Sequence, residues 1–128
     1  MRPGAPPPGR LPGPLLYCAA SMKNLLQDVP PEAEESIEVL ARAPGFRIER
    51  IVSHGHRSPD GFWYDQDEDE WVLLVAGAAE IAFRDGRRAR MAPGDWLALP
   101  AHERHRVEWT DAAQPTIWLA VFRASDAR

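Results

Sequence analysis

The stretch PGDWLALPAHERHRVEW, residues 93–109, reads as a turn followed by two short strands. In the second strand the charged residues share one parity, and the other parity carries His105, Val107 and Trp109. Successive side chains of a strand point to opposite faces of a sheet. If Val107 and Trp109 face the core, His105 faces it too. A histidine on an apolar face is more often a hydrogen-bonded core residue than a ligand, so His105 alone defines no function.

Similar strand patterns recur along the chain, separated by Gly, Pro and Asp, and no helical period is sustained. The Asp85-Gly86 pair predicts a tight hairpin turn. The strand candidates are 36–41, 46–53, 71–76, 79–83, 88–91, 96–99, 104–109 and 116–123. Eight short strands at this spacing predict an all-β sandwich or barrel.

The composition is that of one soluble globular domain of 128 residues with a net charge of −4. Lys23 is the only lysine and no basic stripe is present, so nucleic acid is not expected as a partner. No apolar run is long enough to span a membrane. A single cysteine, Cys18, excludes an internal disulfide and a thiolate zinc cluster, which fits a cytoplasmic location.

The first 21 residues differ in composition from the remainder of the chain. Six prolines among the first fourteen residues argue against the helical core of a secretory signal. We expect residues 1–21 to be a disordered Pro/Gly-rich tail and residues 22–128 to be the folded domain.

An acidic run precedes the most apolar strand candidate, in GFWYDQDEDEW at residues 61–71. Five carboxylates in six positions cannot all be buried, because each unpaired buried charge costs several kcal/mol. We therefore predict that residues 67–69 form a solvated loop tip. Glu70 adjoins the run Trp71–Ala76, which suggests a strand covered on both faces. We expect Glu70 to face inward, where burial would raise its pKa and suit it to proton transfer.

The spacing Gly94-x5-Pro100-x4-His105 resembles the second motif of the cupin superfamily, and Glu70-x6-Gly77 resembles the second half of the first motif. The resemblance covers about residues 36–123. It implies an all-β, double-stranded β-helix barrel of the cupin or jelly-roll type, in a single domain with the site inside.

The departures from the cupin motifs fall on the chemistry. The first motif's two histidines are replaced by Tyr64 and Gln66, or by Trp63 and Asp65 in the alternative register. His102 stands at a motif glycine. Metal-binding cupins hold Fe, Mn, Ni or Zn with three imidazoles and one carboxylate, of which Glu70 and His105 match here. Gln66, Glu70 and His105 are therefore the candidate ligands of a non-standard divalent metal site.

Two functions remain open from the sequence. In the first, the barrel binds a small organic ligand between Trp63, Tyr64, Gln66 and His56, next to Glu70 and His105. In the second, the protein is an enzyme, either a metal-dependent oxygenase-type cupin or a metal-free isomerase or lyase in which Glu70 and His105 transfer protons. A third, structural interpretation is a barrel that matters mainly as a homodimer, because cupins commonly pair and strand edges need covering.

Overall fold

The computed structural model describes residues 21–31 and 34–125, and this part of the chain contains eight β-strands and no helix. It therefore has no helix that could span a membrane. Residues 1–20 of the predicted tail lie outside the described residues. All eight strand candidates are confirmed. The strands are β1 (Ser36–Ala43), β2 (Phe46–Ser53), β3 (Glu68–Ala76), β4 (Ala79–Phe83), β5 (Arg88–Met91), β6 (Trp96–Leu99), β7 (His105–Thr110) and β8 (Thr116–Ala124).

The strands form two antiparallel sheets. One sheet has five strands in the order β1-β2-β8-β3-β6, and the other has three in the order β5-β4-β7. β8 lies between β2 and β3, which are distant from it in sequence. Strands that are distant in sequence are therefore neighbours in the sheet, as in a jelly roll. The predicted all-β cupin-type fold is therefore confirmed.

Apolar side chains from both sheets pack together between them and form the core. The alternation of side chains sends every second residue inward, which is why short strands suffice to build it. Fully burying each large side chain contributes about 1.5–3 kcal/mol. The buried core residues are Ile51, Val72, Leu74, Ala79, Ile81, Phe83, Met91, Leu99, Trp118, Ala120 and Phe122.

β3 is apolar on both faces, but only its inner face enters the core. Val72 and Leu74 are buried there, whereas Trp71 and Leu73 are half-buried on the outer face. The Trp71 ring packs on Trp96 at 5.6 Å between centroids, and Trp96 is 57% exposed. The expectation that other elements cover both faces of this strand is therefore wrong for the described chain.

The acidic run is more ordered than the sequence predicted. β3 begins at Glu68, so Glu68 and Asp69 belong to the strand and only Asp67 remains an exposed tip. Glu68 accepts a hydrogen bond from Arg47 at 2.6 Å, and Asp69 pairs with Arg123 at 3.4 Å. These cations offset the desolvation of the carboxylates, which is why the strand can extend through them.

The alternation in β7 is broken by a β-bulge. The pairing of β4 with β7 shifts between Glu80 and Ile81, so that Ile81 pairs with Val107 and Glu80 pairs with Trp109. A bulge changes the face to which the following side chain points. His105 is buried as expected, whereas Trp109 is 36% exposed and lies under Arg90. The expectation that Trp109 faces the core is wrong.

Gly77 ends β3 in a conformation that side chains rarely adopt, with φ of +92°. A Cβ atom added there would lie 2.6 Å from the Thr116 Cα atom and 2.8 Å from the Pro115 carbonyl oxygen. Both atoms belong to the backbone, which cannot rotate away. Gly77 is therefore required by close backbone approach as well as by φ.

We predict that Gly77→Ala lowers the free energy of unfolding by about 3 kcal/mol or more, because backbone clash adds to the unfavourable φ. Gly86→Ala is the matched control. Gly86 has φ of +102° in the β4–β5 hairpin, but an added Cβ would have no atom within 4 Å. The control should cost about 1–2 kcal/mol. Urea denaturation measures both, and equal losses would contradict the clash at Gly77.

Candidate functional site

A small cavity lies between the two sheets. Its walls are mostly apolar, formed by Ile51, Val72, Ile81, Leu99, Val107 and Trp118. Four polar side chains also line it, namely Glu35, Tyr64, Glu70 and His105. The cavity volume is about 30 Å³, which is room for about two water molecules. It therefore admits a small polar group rather than a whole metabolite.

Glu70 and His105 are the two most deeply buried polar groups of this cavity, at 3% and 2% exposure. Glu70 lies on β3 opposite Leu99 and Phe122, and His105 begins β7. The His105 Nε2 atom is 4.0 Å from the Glu70 Oε1 atom. Strands from both sheets thus bring together an imidazole and a carboxylate that are distant in sequence.

The tautomer of His105 follows from its second nitrogen. Nδ1 lies 2.8 Å from the carbonyl oxygen of Glu103. A carbonyl can only accept a hydrogen bond, so Nδ1 carries a proton. In the neutral ring, Nε2 is then the basic nitrogen, and it points towards Glu70. The arrangement can hold a proton on either partner.

The residues at the missing histidine positions pack against this pair. Tyr64 and His105 form an isolated antiparallel bridge, in which the Tyr64 N–H donates to the His105 carbonyl at 2.7 Å. Their rings stack at 5.2 Å between centroids. Two residues further on, the Gln66 amide donates to Glu70 Oε1 at 3.0 Å. The register that places Tyr64 and Gln66 inward is therefore the one adopted.

Asp65 points the other way and fastens the segment from outside. Its carboxylate accepts a hydrogen bond from His102 at 2.7 Å and lies 3.3 Å from Arg104 Nε. The hydrogen bond from His102 lowers the pKa of Asp65 from its usual value. The His102 N–H also donates to the Gln66 carbonyl at 2.7 Å. These contacts hold residues 64–66 against the start of β7.

His102 occupies the position of a cupin motif glycine, and its backbone adopts a conformation that favours glycine. Its φ is +66°, which costs a non-glycine residue about 1–2 kcal/mol. The residue that carries this backbone strain also makes the side-chain hydrogen bond to Asp65. A glycine could adopt the turn freely but could not hold Asp65.

Three of the predicted ligand-binding residues do not line the cavity; Gln66 is connected to it through its hydrogen bond to Glu70, and the other two lie elsewhere. Trp63 does not line the cavity; its ring lies on the outer face of the three-stranded sheet, under Arg84 and Arg106 at 5.6 and 5.9 Å. His56 is also absent from the lining. Its Nδ1 accepts a hydrogen bond from the His54 N–H at 2.8 Å, which shapes the loop after β2.

Glu35 was missed from the sequence. It immediately precedes β1, lines the cavity and is half-buried. The Ser53 hydroxyl donates to Glu35 at 3.1 Å, and the Trp118 indole N–H donates to Ser53 at 3.3 Å. No motif contains these residues. The only sequence signal was a serine at the inward parity of β2, which predicts no partner by itself.

The donor set does not fit the metal of the usual cupins. Among the described residues, no group of three or more His, Cys, Asp or Glu side chains could hold a metal ion. The Gln66 amide nitrogen donates to Glu70, and the Tyr64 ring stacks on His105. Positions that carry imidazoles in metal-binding cupins therefore supply a hydrogen-bond donor and an aromatic face. Late first-row metals favour imidazole, so their affinity here should be low.

Two facing antiparallel sheets with polar side chains directed into the space between them define a small jelly-roll barrel with an interior site. The family model described as Cupin domain matches residues 51–122. The chain therefore belongs to the cupin family. No curated protein matches it.

Several solved structures are similar to the chain. A Ralstonia eutropha JMP134 protein, described as a candidate mannose-6-phosphate isomerase, is 48% identical with a TM-score of 0.79, and the match covers 82% of this chain and 99% of that one. A cupin superfamily protein of Desulfitobacterium hafniense DCB-2 is 22% identical with a TM-score of 0.63, covering 82% and 99%. KdgF from Halomonas sp. is 20% identical with a TM-score of 0.60, covering 74% and 84%. The last two show the fold alone.

Proposed function

We propose that this cupin binds a small organic molecule through a polar group that enters the barrel and is held by Glu70 and His105. The observation that carries the proposal is the buried carboxylate–imidazole pair in an otherwise apolar cavity. Small-molecule sites have this character, with apolar walls and a few polar groups that fix orientation. Tyr64 restricts the His105 ring, and Gln66 directs the Glu70 carboxylate.

The charges of the cavity limit the ligand's chemistry. Glu35 and Glu70 are carboxylates, and no arginine or lysine of the described chain lines the cavity. An anionic group would therefore be repelled, and a hydroxyl or other hydrogen-bond donor would be favoured.

A second candidate function is a metal-free isomerase, which we propose on the protonation of His105. With Nδ1 bonded to a carbonyl, Nε2 can take a proton from a carbon next to a ligand carbonyl and return it. The Ralstonia eutropha protein described as a candidate isomerase supports this class of reaction. Its named substrate carries a phosphate, which the two carboxylates of this cavity would disfavour.

We predict that glycerol, a neutral polyol probe, shifts the NMR signals of the Trp118 indole N–H and the His105 ring. Glu70→Gln should weaken this binding about tenfold, because hydrogen bonds to a charged group contribute about 1.5–3 kcal/mol. Glu80→Gln is the matched control, since Glu80 pairs with Arg88 on the outer face. Unchanged binding in Glu70→Gln, or no shift in the wild-type protein, would contradict the proposal.

The same samples separate binding from catalysis. Hydroxyacetone in D2O exchanges the hydrogens next to its carbonyl for deuterium when a base removes and returns the proton. An isomerase should accelerate this exchange above the buffer rate, and His105→Ala should abolish the acceleration, because it removes the proposed base. Binding of glycerol without accelerated exchange would reject the isomerase and leave the binding function standing.

We also propose that two copies pair through the outer face of the five-stranded sheet. The outer positions of β3, β6 and β8 are apolar apart from Asp69 and Arg123, which pair with each other at one end, so most of two identical faces can meet without like charges opposing each other. Such a two-fold contact covers both faces at once. The outer residues are Trp71, Leu73, Val75, Trp96, Ala98, Leu119 and Val121.

We predict that Trp96→Glu halves the molar mass measured by light scattering, because it buries a carboxylate in the proposed interface. Trp109→Glu is the control, since Trp109 is a partly exposed tryptophan of the other sheet. It should remain dimeric. A monomeric wild-type protein at micromolar concentration, or the same mass change in both variants, would contradict pairing through this face.

A further inference from the structure

A second depression lies outside the barrel, on the outer face of the three-stranded sheet. Its volume is about 370 Å³, within the 300–1,000 Å³ typical of small-molecule sites. It is distinct from the interior cavity, with which it shares no lining residue. We call it the arginine groove; the lining residues that bear charge are Arg57, Asp60, Arg84, Arg87, Arg88, Arg106 and Glu108.

More cationic than anionic side chains line the arginine groove. Five arginines and two carboxylates line it, whereas the whole chain has a net charge of −4. A local excess of guanidinium groups on an acidic protein raises the concentration of anions at that place. The net negative charge of the whole protein would instead repel anions.

The arginines differ in how far their charge is already neutralised. Four of the five are paired with carboxylates: Arg57 with Asp60, Arg87 with Asp85 and Glu103, Arg88 with Glu80, and Arg106 with Glu108. Among the residues that the structure describes, no carboxylate forms an ion pair with Arg84, which is exposed. Its guanidinium instead lies 5.6 Å from the centre of the Trp63 ring.

Hydrogen bonds hold the residues next to Arg84 in place. Arg106 is 6% exposed, and its guanidinium donates to the carbonyls of Pro59 and Ser58 at 3.1 and 2.9 Å. These bonds fix the loop that carries Trp63 across the sheet. Ala82 pairs with both Arg88 and Arg106 on the neighbouring strands. Its short side chain leaves the space between the two longer ones open.

We propose that the arginine groove binds a small molecule through a phosphate group, with Arg84 as the principal contact. Guanidinium groups match phosphate oxygens in pairs, and stacking on an aromatic ring orients the fork in advance. A phosphate carries up to two negative charges near neutral pH, which the guanidinium charge of Arg84 attracts. The groove is larger than the phosphate alone requires and leaves space for an attached organic part.

The test is a titration of the full-length protein with phenyl phosphate, and separately with inorganic phosphate, followed by amide NMR. The signals of Ala82, Arg84, Gly86 and Arg88 should shift and saturate. Arg84→Gln should weaken binding about tenfold or more. Tighter binding of phenyl phosphate than of inorganic phosphate would assign the site to phosphate esters, and equal binding would assign it to free phosphate.

Arg90→Gln is the matched control. Arg90 is also exposed, lies on the same sheet and covers a tryptophan, Trp109, at 4.6 Å, but it lines a different depression. The Arg90→Gln substitution removes the same charge and should leave phosphate binding unchanged. Equal weakening in both variants would reduce the effect to net charge and overturn the proposal. So would the absence of saturable shifts in the wild-type protein, or shifts confined to the barrel interior.

Discussion

A buried carboxylate must be compensated, and the compensation of Glu70 organises the interior of this protein. An unpaired ion in this position would cost several kcal/mol. Glu70 is 3% exposed and meets the Gln66 amide at 3.0 Å and the His105 ring at 4.0 Å. These partners come from two segments of the chain, so satisfying one acid draws the 64–66 segment and β7 to β3.

Further hydrogen bonds also hold the 64–66 segment against the start of β7. Tyr64 and His105 exchange hydrogen bonds, and His102 reaches Asp65 from the turn before β7. The segment that should carry paired histidines in a metal-binding cupin is thus tied to the start of β7. Its side chains have changed from metal ligands to a hydrogen-bond donor and an aromatic ring. The proposed function therefore depends on hydrogen bonds and proton transfer and not on a metal.

The sequence predicted the strands well because each one alternates or is bounded by Gly, Pro or Asp. It also predicted that Glu70 and His105 face inward, which depends only on local parity and motif register. It did not predict the bulge that turns Trp109 outward, since a bulge depends on the partner strand. Nor did it predict Glu35 in the cavity or Trp63 outside it, because both depend on where loops cross the finished barrel.

The fold contains two candidate sites whose charged lining residues differ in sign. The cavity offers carboxylates and an imidazole, and the arginine groove offers guanidinium groups. If both proposals hold, the two sites would take ligands of different chemistry. The sheet between them keeps the two apart.

The central claim is that Glu70 and His105 act without the usual cupin metal, because the other two ligand positions hold Tyr64 and Gln66. Elemental analysis of protein purified without added metal or chelator tests it most directly. We expect iron, manganese, nickel and zinc each to be far below one equivalent per chain. About one equivalent that persists through dialysis and is lost in both Glu70→Gln and His105→Ala would contradict the account.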